Sequence, residues 1–170
     1  MMLFLLCAAL LMASAYAILL GLLHRNWGKL PTFSLPPEHK VSTRVSVLLP
    51  VRNEADHIRS ILEHILTQNY PSHLLELLVI DDHSADQTAD IVRSFSDARL
   101  RLLRLGEGQG KKAALALGAR EARGSLLVTT DADCSPGPEW LRQLVGFYET
   151  TSFRMIAAPV LFQRERSPLQ

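Results

Sequence analysis

The chain has 170 residues, 48% of them hydrophobic, and a formal net charge of +1. That length suffices for one domain with a real core, and so even a charge balance gives no broad field for holding nucleic acid. The two cysteines, Cys7 in an apolar run and Cys134 beside an acidic pair, cannot plausibly bridge and have no Cys or His partner at zinc-site spacing, which excludes a disulfide scaffold or zinc module and fits a reducing compartment.

From the amino terminus, Leu3 to Leu23 carries no charged residue and is long enough to span a bilayer core as a helix. His24, Arg25, Trp27 and Lys29 follow; tryptophan suits the interface, and the basic residues favour the cytoplasmic side. The expectation is an uncleaved single-pass anchor over residues 1–27, amino terminus outside, with the remainder in the cytoplasm. A cleaved signal peptide is the rival, with candidate sites at Ala13-Ser14-Ala15 and Ala15-Tyr16-Ala17. However, no basic side chain precedes the run, and the run continues through Leu23. Residues 28–43, with Pro31, Pro36 and Pro37, read as a juxtamembrane linker.

A soluble domain over 44–170 follows. Val45 to Leu49, Leu75 to Ile80, Leu100 to Leu105 and Ser125 to Thr130 read as strands, and Met155 to Phe162 as a fifth. Between them lie helix patterns. The first has Asn53 as its cap, Glu54 and Asp56 in its first turn, and an apolar face of Ile58, Ile61, Leu62, Ile65 and Leu66. The second opens on a Ser84–Gln87 capping box with Ala85, Ala89, Val92 and Phe95 as its buried stripe. Lys111 to Ala122 is alanine-rich, and Pro136 to Tyr148 is a last helix. Alternating strands and helices predict an α/β domain with a mostly parallel sheet.

Polar clusters stand where the predicted strands end: Pro50 to Glu54, Asp81 to Ser84, and Asp131 to Asp133. In parallel sheets, ligands gather at that edge. Asp131 and Asp133 are two apart, so in extended chain they point the same way. A hard divalent cation, Mg²⁺ or Mn²⁺, would relieve their repulsion and keep open positions for phosphate oxygens. Asp81 or Asp82 could accept hydrogen bonds from a nucleobase or ribose. The glycine-rich loop Gly106 to Gly110 is not a Walker loop, because Leu105 and Lys112 break the pattern, nor a dinucleotide fingerprint, because position 111 is lysine. Lys111 can instead meet a phosphate as a point charge near a helix start.

Four ordered blocks carry a resemblance: Val-Leu-Leu-Pro-Val-Arg-Asn-Glu-Ala at 47–55, Val-Ile-Asp-Asp-His-Ser-Ala-Asp-Gln-Thr at 79–88, Gly-Lys-Lys-Ala-Ala-Leu at 110–115 and Thr-Asp-Ala-Asp at 130–133. The chain resembles the family-2 glycosyltransferases, with their GT-A (Rossmann-like) nucleotide-sugar-binding fold. The resemblance implies that Pro50, Arg52, Asn53 and Glu54 line the nucleotide pocket, that Asp81 or Asp82 contacts the base, and that Lys111 lies near the nucleotide. It puts Asp131 near the sugar or ribose and Asp133 at the metal and diphosphate. Where Arg52 stands the family often has an aromatic residue, and a guanidinium could stack in its place. The implied donor is a nucleoside-diphosphate sugar, a UDP-sugar first among them. The implied reaction is inverting transfer to an acceptor hydroxyl in cell-envelope glycan or glycolipid synthesis. The acceptor-side base is expected beyond Gln170, so the chain reads as the donor-binding half of a longer enzyme. The rivals are a nucleotidyltransferase, which would carry a glycine-rich loop after the first strand, and a non-catalytic membrane-anchored interaction module of the same fold.

Overall fold

The computed structural model of the protein describes residues 1–27, 29 and 33–158. It forms two compact units, Met1–Ser34 and Leu35–Gln170. The first holds helix α1 (Met2–Trp27), 26 residues and so about 39 Å long. Its stretch Phe4–Trp27 is long and apolar enough to cross a membrane, with a mean hydropathy of 2.3 and none of it buried against protein.

In the second unit the chain runs β1 (Val45–Val51), α2 (Ile58–Leu66), β2 (Leu75–Asp81), α3 (Thr88–Arg93), β3 (Leu100–Arg104), α4 (Lys111–Glu121), β4 (Leu126–Thr129) and α5 (Trp140–Thr150). The strands make one parallel sheet in the order β3-β2-β1-β4. Parallel strands covered on both faces read as unbroken apolar runs, and β2 is buried at every position.

Successive side chains of a strand point to opposite faces, and the two faces carry separate cores. Val45, Val47, Leu49 and Val51 of β1 join Leu75, Leu77 and Val79 of β2 under Ile58, Ile61, Leu62 and Ile65 of α2, with Val92 of α3 and Leu141 and Val145 of α5. On the other face Leu48, Leu78 and Ile80 pack with Ala114 of α4. At the amino end of that second face the inward residues are polar. The buried Glu76 carboxylate accepts hydrogen bonds from Ser46 Oγ at 2.6 Å, the Arg123 amide at 2.9 Å and Arg101 Nη1 at 2.9 Å. Gly124 is required here, because a Cβ on it would lie 2.5 Å from the Ser46 nitrogen and 2.7 Å from the Val45 carbonyl carbon.

Several expected details differ. Helix α2 begins at Ile58, without an acid in its first turn, because the Glu54 carbonyl accepts from the amides of both His57 and Ile58 in a preceding turn. Asn53 therefore caps nothing. The Ser84–Gln87 capping box does not form: α3 starts at Thr88 with no side-chain cap, Ala85 is exposed, and Thr88 is buried. Helix α5 starts at Trp140 rather than Pro136, and Trp140 packs partly buried against the first core. Of the expected fifth strand, residues 155–158 have no regular structure, and the rest lies outside the described residues. Pro31 of the expected linker also lies outside them. The part from Leu35 onward packs on the sheet unit: Leu35 is buried, and its amide donates to Gln143 Oε1 at 3.0 Å.

Candidate functional site

From β1 the chain goes to β2 and β3 on one side and comes back to β4 on the other. The loops that leave β1 and β4 part at that reversal, and in open α/β sheets the crevice there is where ligands bind. A cavity of about 310 Å³ opens at this place. The loop after β1 lines it with Pro50, Val51, Arg52 and Glu54, the loop after β2 with Asp82, the start of α4 with Lys111, and the loop after β4 with Asp131, Ala132 and Asp133. Four segments far apart in sequence thus bring two cations and four carboxylates to one opening.

Local geometry sets which side chains face it. Asp82 is buried, and its Oδ2 accepts from the Gly110 amide at 2.8 Å, with Arg52 Nη1 at 3.7 Å. Gly110 makes this contact with φ of 88°, a left-handed conformation that glycine adopts without a Cβ clash. The hydrogen bond with His83 Nδ1, then the Gly110 amide and the Arg52 charge, outweigh burial and hold the Asp82 carboxyl below the ordinary aspartate range. Asp82 is therefore a carboxylate at neutral pH, able only to accept hydrogen bonds. Lys111 Nζ lies 2.5 Å from Asp131 Oδ1, both side chains more than half exposed. No cation pairs with Asp133 among the described residues.

Two expected site residues are not brought to the cavity lining. Asp81 is buried, its Oδ1 accepting from the Ser84 amide at 3.1 Å and its Oδ2 lying 3.7 Å from Arg104 Nε. Asn53 is turned away, its Oδ1 accepting from the Ala85 amide at 2.8 Å. Pro50, Arg52, Glu54, Asp82, Lys111, Asp131 and Asp133 all line the opening.

Sequence reasoning passed over a lattice of bonds that ties the β1 and β2 loops together. The Asn53 amide donates to Ser84 Oγ at 3.0 Å, the Glu54 amide to Thr88 Oγ1 at 2.8 Å, and the Ala55 amide to Asp86 Oδ2 at 3.1 Å. Asn53 and His83 both sit at positive φ, 55° and 58°. The alternation Ser84, Asp86, Thr88 was a signal, but a helix start claims the same residue types.

Among the described residues no group of three or more His, Cys, Asp and Glu side chains could hold a metal by itself. The donor set nonetheless fits a hard cation. Asp131 and Asp133 flank the buried Ala132, and both line the cavity. Mg²⁺-type ions are commonly held by one or two carboxylates and completed by substrate phosphates. Cys134, with Sγ 3.9 Å from Asp133 Oδ1, adds a soft atom of little use to such an ion.

Residues 46–166 match Glycosyl transferase family 2. Glycosyltransferase AglE of Haloferax volcanii is 38% identical over 120 residues, which is 69% of this chain and 40% of that protein. The undecaprenyl-phosphate 4-deoxy-4-formamido-L-arabinose transferase of Salmonella choleraesuis is 30% identical over 135 residues, 74% of this chain and 41% of that protein. Among solved structures, the mannosyltransferase PcManGT of Pyrobaculum calidifontis in complex with GDP-mannose and Mn²⁺ superposes with a TM-score of 0.64 at 34% identity, covering 76% of this chain and 39% of that one. The chain thus spans about 40% of the length of these relatives.

Proposed function

We propose, for a chain that belongs to Glycosyl transferase family 2, that the cavity at the carboxyl ends of β1, β2 and β4 binds a nucleoside-diphosphate sugar whose sugar passes to an acceptor hydroxyl with inversion. The observation that carries this reading is the convergence of Arg52, Glu54, Asp82, Lys111, Asp131 and Asp133 on one opening. The mannosyltransferase complex with GDP-mannose and Mn²⁺ supports it on a shared fold.

Each residue has a physical task. Asp82, held ionised, accepts a hydrogen bond from an N–H of the base, and Asp81 keeps the turn beneath it in shape. The Arg52 guanidinium lies flat on the base, a geometry arginine favours. Lys111 leaves Asp131 to meet the diphosphate, and Asp131 turns to a hydroxyl of the ribose or sugar. A divalent cation held by Asp133 and Asp131 would supply positive charge where the leaving diphosphate gains negative charge. In the transfer the bond from the anomeric carbon to the diphosphate oxygen breaks, the bond to the acceptor oxygen forms on the opposite face, and the acceptor proton goes to a carboxylate.

Helix α1 anchors the chain in the membrane, with the amino terminus outside and the sheet unit in the cytoplasm. The acceptor is an envelope glycan or a lipid carrier, in keeping with the undecaprenyl-phosphate relative. The test is calorimetric titration of the full chain in detergent with GDP-mannose and UDP-glucose, each with and without Mn²⁺. At least one binds saturably and with Mn²⁺ dependence, and Asp133→Ala weakens that binding by about tenfold or more. A wild-type chain that binds neither donor in the presence of Mn²⁺ overturns the reading.

A further inference from the structure

Parallel strands give a sheet two unlike ends. The carboxyl ends carry the acidic opening, and a second cavity of about 470 Å³ opens at the amino ends. Its lining is rich in guanidinium groups, with Arg44 just before β1, Arg99 just before β3, Arg101 within β3 and Arg123 just before β4.

The two acids in this lining are already neutralised. Arg101 Nη1 lies 2.9 Å from Glu76 Oε1, and Arg99 Nη2 lies 2.6 Å from Asp97 Oδ2. Arg44 and Arg123 remain. Both are exposed, and no acid pairs with either among the described residues. Their backbones are fixed by the sheet itself. The Arg44 carbonyl accepts from the amides of Ser125 at 2.9 Å and Leu126 at 3.2 Å, and the Arg123 amide donates to Glu76 Oε2 at 2.9 Å. Two arginines are thus rooted by their backbones beside one cavity, with no acid paired to either side chain among the described residues. Like charges so placed repel, and a shared anion removes the repulsion. Phosphate has enough acceptor oxygens to meet the paired N–H donors of two guanidinium forks at once.

We propose that this amino-end cavity binds a phosphate group between Arg44 and Arg123. The group is presented by an anionic phospholipid headgroup or by free phosphate. A lipid source would draw the sheet unit to an anionic membrane surface, since basic clusters are attracted to such leaflets. The site lies at the far edge of the sheet from the acidic opening, so it stands or falls independently of the sugar-nucleotide reading.

The test uses the full chain in a neutral detergent, with the arginine Nε–H signals followed by nuclear magnetic resonance. The probes are dihexanoylphosphatidylglycerol, inorganic phosphate and, as the zwitterionic control, dihexanoylphosphatidylcholine. The Arg44 and Arg123 signals shift saturably, and the Arg99 signal, held by Asp97, stays in place and reports an intact fold. Replacing Arg44→Gln and Arg123→Gln together weakens binding by about tenfold or more. A response to phosphatidylglycerol alone makes lipid the source, and a response to inorganic phosphate makes it the solute ion; either upholds the site. No saturable shift with any probe, or equal binding by the double variant, overturns it.

Discussion

The Lys111–Asp131 pair, 2.5 Å apart, joins two side chains that are both more than half exposed. Pairs of that kind are worth only about 0–1 kcal/mol, so the contact opens at little cost and leaves the ammonium free to meet a phosphate. In the proposed site it matters for the diphosphate and not for the base. Lys111→Gln should therefore weaken binding of GDP or UDP by about tenfold while leaving guanosine or uridine affinity unchanged, with unfolding free energy altered by less than about 0.5 kcal/mol. Calorimetry on the two ligand classes checks it, and equal loss for nucleoside and diphosphate would put Lys111 elsewhere. Asp82 differs in kind. It is buried, and its carboxylate holds the Gly110 amide at 2.8 Å, so its replacement disturbs the loop that delivers Lys111 as well as the base contact.

At the scale of elements, the β1 and β2 loops behave as one piece. Asn53 links them through its amide to Ser84 Oγ and through its Oδ1 to the Ala85 amide, at a φ of 55°. Asparagine tolerates that left-handed conformation, and alanine does not. Asn53→Ala should cost more than Asn53→Gly by about 1 kcal/mol in urea unfolding, since glycine restores the backbone but not the bond. Gly124 marks a tighter join, where the chain entering β4 runs so close to the β1 backbone that a Cβ would lie 2.5 Å from the Ser46 nitrogen. Gly124→Ala forces backbone to move and should cost about 1–3 kcal/mol; an unchanged unfolding midpoint would refute the close approach. These two elements also mark what was legible in sequence. The four strands of the sheet were, the two central ones most plainly, because Val45–Val51 and Leu75–Asp81 are near-continuous apolar runs. The starts of α2, α3 and α5 were not, whereas α4 begins at Lys111 as its alanine-rich run implies. Asn53, Ser84 and Thr88 are cap-type residues, and nothing local tells whether such a side chain serves its own helix or a loop about 30 residues away. The same ambiguity hid which of Asp81 and Asp82 reaches the opening, because that depends on the Gly110 loop returning from beyond β3.

Across the whole sheet unit, residues 35–43, the part of the juxtamembrane stretch that lies within this unit, form a strap. Glu149 in α5 accepts from the amides of Ser42 and Thr43 at 2.8 and 2.9 Å, from Thr43 Oγ1 at 2.7 Å, and meets His39 Nε2 at 2.7 Å. The segment carries few apolar residues, and its partner helix lies more than a hundred residues on, so no local pattern announced the contact. Tyr70 closes the same corner, its hydroxyl donating to the Thr43 carbonyl at 2.5 Å; burial and the Glu149 charge push that phenol up to about 12. Burial works to raise the Glu149 carboxyl, but the bonds from His39, Ser42 and Thr43 together overcome it and hold it at about 2. A carboxyl whose folded value lies below its unfolded one stabilises fully above the unfolded value, near 4.5, and loses that contribution as pH falls through the folded value. A shift of this size corresponds to on the order of 3 kcal/mol. Glu149→Gln removes the charge and keeps the shape. The variant should thus be less stable than the parent by about 1–3 kcal/mol at pH 7, and the gap should narrow as pH falls below 4.5 and close near pH 2. Urea unfolding of both chains at pH 7, 4 and 2.5 measures that gap directly. A gap that stays constant with pH would mean that Glu149 holds the strap by shape alone and that its charge contributes nothing to the fold.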